Sequence, residues 1–442
     1  MVCCGRGGGR HVASADELGA FMAVEAERED VAVFENLQVR GEVRDRVRTF
    51  LPDPKQEEIK YNVISVDDHV LEPPSLFEGR LPKQFADRAP KIVRGTPRGD
   101  FWRIEDVEEG MGDWNGASGR PMNEWSTEPL QYDEIRRGVW DPKERLRDMD
   151  LAGIVASVCF PSGIWGFAGQ KFMRMKDREL GLACLRAYND WVVEEWSAVN
   201  PSRLIAFQIP WYHDMDIAAQ EIERNAARGV KCVSFSENPE KIGMPSLYTN
   251  YWDPFFRACE ETGTVINLHV GSSSQISKPS KDSPEEASLA LFGANSMLAS
   301  IDWLYAQIPV RFPKLKIVYS ESGIGFLPML LDRLEHIQMY RDYELLKFSW
   351  TDLDMAPVDV FRRNFWFSTF WDPIAFGVID KIGANRVLLE VDYPHPDSIW
   401  PDVQGRCDRQ LAGLDKRVID AVTYGNAAEL FSIPISSING GK

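Results

Sequence analysis

An α/β chain folded as a (β/α)₈ TIM barrel is predicted by three observations. Eight short β-rich runs alternate with helical patterns. Most of the runs lack apolar/polar alternation, as strands buried on both faces do. The residues best suited to chemistry lie at the C-terminal ends of those runs, where barrel enzymes place their active sites. The chain has 442 residues, enough for one large barrel with insertions.

In order, the runs are NVISVDDH (62–69), IVASVCFP (154–161), RLIAFQIP (203–210), VKCVSF (230–235), TVINLHV (264–270), KIVYSES (316–322), FWFSTF (365–370) and RVLLEVDY (386–393). Helices are expected in PKERLRDMDLAG, DRELGLACLRAYNDWVVEEWSAV, DMDIAAQEIERNAARG, YWDPFFRACEETG and GFLPMLLDRLEHIQMY. Several end in Gly just before the next strand, as helix C-caps do. A doubly wound sheet competes with the barrel, but it needs a Gly-rich phosphate turn after its first strand, and VDDHVLEPP is not one.

Three segments flank or interrupt this rhythm. Residues 1–60 read as an N-terminal arm, disordered over its Gly-rich start and ending in the Pro-punctuated LPDPK. The barrel is expected over 61–432, with 433–442 as a C-terminal tail. Residues 78–138 form a long insertion after the first strand, rich in Gly, Pro, Trp and charge, and read as a lid or substrate loop.

Composition narrows the partners. The chain is 44% hydrophobic and 26% charged, with a formal net charge of −17. That balance argues against nucleic acid and against an anionic membrane surface. A small-molecule substrate is expected, in a homo- or hetero-oligomer. The seven cysteines (Cys3, Cys4, Cys159, Cys184, Cys232, Cys259 and Cys407) show no C-x-x-C spacing, so neither a disulfide framework nor a zinc knuckle is expected. Cys159 reads as core. MVCCGRGGGRH lacks the apolar stretch of a signal peptide, and no run of about 18 apolar residues occurs, so a cytoplasmic location is expected.

Six histidines make placement informative. His11 lies in the arm, His336 on an expected helix, and His213, after the third strand, reads as structural or substrate-contacting. His69, His269 and His395 each lie at or just past the end of a strand. Asp67 and His69 are two apart, so in a strand both point to one face and can chelate one ion. His269 ends the fifth run, and Asp392 ends the eighth. Four N/O ligands (Asp67, His69, His269, Asp392) converge only if the sheet closes, and suit Zn²⁺, Fe²⁺ or Mn²⁺. Read singly, each is an ordinary polar residue at a strand end. Trp165 and Phe167 either line the pocket or pack. Arg145 and Asp148, three apart on a helix, are expected to pair on its surface.

ISVDDHVLEPPSLF, INLHVGSS, YSESGIGFLPMLLDR and LLEVDYPHPDSIWP resemble motifs of the amidohydrolase superfamily, metal-dependent hydrolases on a TIM barrel. They are closest to the amidohydrolase-related group of aminocarboxymuconate semialdehyde and resorcylate-type decarboxylases, and WDPKERLRDMDLAGIVASVCFPS resembles that group's second-strand region. The resemblance spans roughly 61–432. It implies that the first-strand H-x-H or E-x-H pair corresponds to Asp67 and His69, the fifth-strand metal histidine to His269, and the eighth-strand aspartate to Asp392. The group's decarboxylases often carry a catalytic histidine after the sixth strand, in an H-G-G context; here Glu321 stands there. Asp67 in place of His or Glu adds negative charge and favours iron or manganese over zinc.

The catalytic candidates are therefore Glu321, Asp392 and His395, and Glu72, Glu321 and His395 extend the ligand set toward a possible second ion. Glu72 reads otherwise as an acceptor orienting His69. Three functions follow. One is metal-dependent hydrolysis or non-oxidative decarboxylation, with a metal-polarised substrate or water and Asp392 or Glu321 moving the proton. The second is a dinuclear non-haem iron or iron/manganese oxygenase, a pattern resembling 2-aminoisobutyrate hydroxylase on the same fold. The third is a non-catalytic subunit that stabilises an active paralogue.

Overall fold

The computed structural model describes residues 48–434 except 57, 97–98, 112, 126–129, 163–165, 341–349 and 351–353. Most of the arm, residues 1–47, and Trp165 therefore lie outside the described residues, as does the tail from 435 on.

Eight parallel strand positions follow one another around a ring. They are β1 (Val63–Val70), β5 (Ile154–Pro161), the split third position β6 (Leu204–Ile205) and β7 (Phe207–Gln208), β8 (Cys232–Ser236), β9 (Val265–His269), β10 (Ile317–Ser320), β11 (Phe365–Thr369) and β12 (Val387–Leu389). β2 (Lys91–Thr96), β3 (Gly99–Ile104) and β4 (Val107–Gly110) belong to the insertion. One sheet runs β1-β5-β6 and another β12-β11-β10-β9-β8-β7, each pair parallel. Only Ala206 separates β6 from β7, and the far edges meet through Asp392 N–H to Asp67 O (2.8 Å) and His69 N–H to Tyr393 O (2.7 Å). These two bonds bring the first and last strands side by side, so residues from both face one mouth.

Alternation along the strands feeds two cores. Ile64, Val66, Ala156, Val158, Phe207, Val265, Val318 and Leu388 form one cluster inside the ring. Their neighbours Val63, Ile266, Leu268, Ile317, Val387 and Leu389 join a larger cluster under the helices. Each fully buried aliphatic side chain is worth about 1.5–3 kcal/mol, so Val63, Ile64, Val66 and Val70 anchor a strand that is buried at all eight positions.

The expected helices form where caps dictate. Asp141 accepts from the backbone N–H groups of Lys143 and Glu144 and starts α1 (Pro142–Ala152), which Gly153 ends at φ 75°. Asp177 caps α2 (Arg178–Trp191) and Asp214 caps α3 (Met215–Ala226). Gly263, at φ 70°, closes α4 (Asp253–Thr262). α6 (Leu327–Ile337) matches its pattern. Three further helices of eight residues or more were not in the sequence expectation: α5 (Phe292–Tyr305), α7 (Pro357–Asn364) and α8 (Val403–Leu411). The α2 helix also ends earlier than its pattern, in a π turn over Val192–Trp196.

The insertion builds its own antiparallel sheet, β2-β3-β4, around buried Phe101 and Trp102. It ties down both ends of the ring: Tyr132 Oη donates to Glu72 O, and Ser118 N–H to Pro394 O at 3.0 Å. Upstream, Leu51 N–H donates to Gly119 O, and Asp53 pairs with Arg136 and Arg147, so residues 48–53 pack on the insertion and on α1.

Candidate metal centre

Four buried groups converge where β1, β9 and β12 end. Asp67, His69, His269 and Asp392 are all fully buried. His69 Nε2 lies 3.5 Å from Asp67 Oδ1 and 3.1 Å from Asp392 Oδ1. His269 Nε2 lies 3.4 Å from Asp67 Oδ2 and 3.3 Å from His69 Nε2. Asp67, His69 and His269 offer atoms all within 4.8 Å of one another, as do His69, Asp392 and His395.

Local structure explains the aim of each group. His269 closes β9, and its Nδ1 lies 2.6 Å from Val270 O. That carbonyl fixes the Nδ1–H tautomer and leaves the Nε2 lone pair facing the mouth. His69 Nδ1 lies 2.9 Å from Ser162 Oγ, which holds its ring from the other side. Asp392 sits at φ 59° and Glu321 at φ 56°, both in the left-handed region. Side chains other than Gly rarely adopt that backbone, and it concentrates at functional sites. The Glu321 kink directly follows Ser320, where β10 stops, short of the run expected from sequence.

The donor set fits a divalent ion. Among the described residues, neither oxygen of Asp67 nor of Asp392 has a hydrogen-bond partner, although all four atoms are buried. Orphaned buried oxygens carry a large desolvation cost unless something satisfies them. With both ring protons on Nδ1, the two Nε2 lone pairs facing each other at 3.3 Å repel unless a cation lies between them. Ligands about 2.0–2.2 Å from a common ion are about 3.0–3.5 Å apart at octahedral or tetrahedral angles, and the spacings around Asp67, His69, His269 and Asp392 fall in that range.

Electrostatics point the same way. Burial, then the neighbouring Glu390, Asp392, Glu321 and Asp68 carboxylates, push Asp67 well above the usual carboxylate range. Burial dominates for Asp392 too, with Asp397 and Asp68 adding to it. Burial lowers His269 to about 3 and His395 to about 4, and holds His69 well below its ordinary value. The histidines are therefore neutral, and the carboxyl groups resist ionising together. A +2 charge reverses that balance.

The other expected site residues divide. His395 stacks on His69 (3.7 Å between ring centres), and its Nδ1 lies 2.9 Å from Asp392 Oδ1. The Glu321 carboxylate is 3.7 Å from His269 Nε2. Glu72 is buried but joins neither group of converging atoms among the described residues; its charge instead weighs on Tyr132 and Tyr188. Phe167 packs its ring 4.1 Å from His269 and forms an apolar wall with Phe160. His213 lies 2.7 Å from Met173 O, and His336 on α6 lies against Tyr340 just past that helix; neither joins the converging groups. Cys159 is fully buried, its thiol pushed up to about 11, as a core residue should be.

One expectation is overturned. Arg145 and Asp148 are buried and do not pair on a helix surface. Arg145 donates to Gly138 O, to Cys159 Sγ (3.2 Å) and to His69 O, with Tyr393 stacked 4.3 Å from its guanidinium. Asp148 pairs with Arg136 (2.6 Å) and accepts from Tyr393 Oη (2.8 Å). The α1 face they share packs against the ring, so both reach inward. Sequence reasoning also missed Ser162, Asp68 and Glu390. Asp68 accepts from Ser65 Oγ and from Tyr393 N–H, both at 3.0 Å, and so locks the last strand onto the first. Glu390 lies just past β12 and two residues before Asp392, and that i, i+2 spacing within the expected run was the available signal.

A protein-family model described as amidohydrolase matches residues 106–433, which include His269, Glu321, Asp392 and His395 but not Asp67 and His69. The curated gamma-resorcylate decarboxylase of Rhizobium radiobacter is 24% identical over 290 residues, 60% of this chain and 80% of that protein. Among solved structures, an amidohydrolase from Mycobacterium avium subsp. paratuberculosis K-10 superposes with a TM-score of 0.65 at 22% identity, covering 85% of this chain and 100% of that one. A dihydroxybenzoic acid decarboxylase from Polaromonas sp. JS666, with bound manganese and the inhibitor 2-nitroresorcinol, gives 0.56 at 18% identity, covering 84% and 97%.

Proposed function

We propose a function from one premise: this chain belongs to the amidohydrolase family. It is a metal-dependent enzyme that decarboxylates a small aromatic carboxylate without oxidation. The observation that carries this reading is the convergence of Asp67, His69, His269 and Asp392, whose buried carboxylate oxygens accept no hydrogen bond among the described residues. The decarboxylases among its relatives support the reaction class. The bound manganese of one of them, and the second carboxylate that Asp67 adds, support manganese or iron over zinc. Because His69 Nε2 faces both Asp67 and Asp392 and so belongs to both groups of converging atoms, the reading is one ion per chain.

The ion supplies charge that polarises a substrate oxygen. The chain's own residues handle the proton. Breaking the ring-to-carboxyl C–C bond leaves its electron pair on the ring carbon and releases CO₂, so a proton must reach that carbon. Asp392 would relay it: burial raises its carboxyl in the metal-free protein, and His395 Nδ1 lies 2.9 Å from its Oδ1 to return the proton. Glu321, raised for the same reason, is the other donor within the mouth. Phe160 and Phe167 keep that wall apolar.

The test is CO₂ release from a panel of hydroxylated benzoates by manganese-loaded protein in D₂O. One CO₂ and one ring deuterium per turnover are expected, and both should vanish in Asp392→Asn. Hydrolysis of amides or esters with no CO₂ would replace this reading with a hydrolase. Oxygen uptake by protein holding two iron-type ions would replace it with the oxygenase.

A further inference from the structure

Glu237 lies one residue beyond β8, next to Ser236, the residue in register with His269. It is fully enclosed by the fold at 3% exposure. Its Oε1 accepts from Gly271 N–H at 3.0 Å and from Ser273 Oγ at 2.8 Å. Its own N–H donates to Ser272 Oγ at 2.9 Å, and its carbonyl accepts from Trp303 Nε1 at 2.9 Å. Four bonds thus fasten one residue to the 271–273 turn and to α5. That turn follows directly on Val270, whose carbonyl sets the His269 tautomer, and Ser272 N–H returns to His269 O at 3.0 Å. Gly271 stands at φ 84°, a backbone that lets its N–H turn toward the Glu237 carboxylate.

We propose that Glu237 is a positioning residue for the metal ligand His269, acting through the turn it clamps. This rests on the metal-centre reading above. Among the described residues its second oxygen, Oε2, is buried without a hydrogen-bond partner, and burial lifts the carboxyl to about 7. The charged groups that bear on it or feel it are Lys241, Glu321 and Tyr319. A buried acid kept with one oxygen unsatisfied costs stability that an apolar residue would not. The clamp on the His269 turn gives that cost a function. Groups that orient metal ligands from behind typically change metal affinity 10- to 100-fold when removed.

The experiment is Co²⁺ and Mn²⁺ binding to the full chain by chelator competition, with the visible Co²⁺ spectrum as a second readout. Glu237→Leu keeps the volume and removes the acceptor. It should weaken both ions 10- to 100-fold and shift the Co²⁺ band. Glu237→Gln keeps an oxygen for Gly271 and Ser273, and should stay within about threefold of wild type, a rescue that a role in charge alone would not give. Wild-type affinity and spectrum in Glu237→Leu would overturn the proposal, and so would equal losses in both variants. If Glu237→Leu fails to fold, Ser273→Ala carries the test: weaker binding supports the clamp, and unchanged binding refutes it. A wild type that binds neither ion would instead overturn the metal centre itself, which separates the two failures.

Discussion

Replacing Asp67 by Asn should move stability and metal affinity in opposite directions. The side chains are nearly isosteric, so the change removes charge and one strong ligand oxygen without opening a cavity. In metal-free protein, Asp67 is squeezed by burial and by four neighbouring carboxylates, and neither of its oxygens is bonded. Its raised pKa means that its contribution to folding is fully present below its ordinary 3.8 and fades as pH rises toward the folded value. At neutral pH the Asn variant should therefore melt at or above wild type in EDTA, by about 1–2 kcal/mol. With manganese at 100 times the wild-type Kd, the wild type gains about 2.7 kcal/mol. A variant that binds 100-fold more weakly gains only about 0.4 kcal/mol. Calorimetric melts with EDTA or Mn²⁺ read both numbers on the same samples. If Asp67→Asn melts lower in EDTA yet gains as much from Mn²⁺ as wild type, Asp67 is a structural residue and not a ligand.

Other consequences are simpler. His395→Phe keeps the ring stack on His69 but removes the Nδ1 beside Asp392, so kcat should fall about 100-fold or more while metal content stays near wild type; steady-state rates with metal analysis check this. Arg145→Leu strands the His69 and Gly138 carbonyls, and should cost about 3 kcal/mol or more in denaturant melts, with soluble yield falling. Glu237, lifted from 4.5 to about 7 by burial, stabilises the fold below its ordinary value and loses that contribution as pH climbs through 7. Urea melts from pH 4.5 to 8 should therefore show a flatter profile in Glu237→Gln than in wild type.

Much of this architecture was legible because period and punctuation are local. Asp141-Pro142 and Gly153 announce the ends of α1, and Asp67 and His69 announce a shared face by their spacing alone. The irregular strand ends were not legible. Nothing in LLEVDYPH tells that Asp392 takes a left-handed backbone, because a neighbour's carbonyl or carboxylate decides that. Arg145 was misplaced for the same kind of reason. Its spacing from Asp148 describes a helix surface, but whether that surface meets water or the back of His69 depends on strands far away in sequence. Glu237 carried no sequence signal at all: SFSEN is unremarkable until the ladder sets Ser236 beside His269. The long insertion was recognised as an interruption, yet its three-stranded sheet was hidden because paired strands of four to six residues have weak periodicity.

The most direct test of the metal centre is anomalous diffraction from crystals grown with Mn²⁺. One strong peak is expected in the mouth of the barrel, about 2.0–2.2 Å from Asp67, His69 Nε2, His269 Nε2 and Asp392, and it should vanish in His269→Ala. An empty mouth in the wild type, or a peak that persists at full height without His269, would contradict the assignment of this centre.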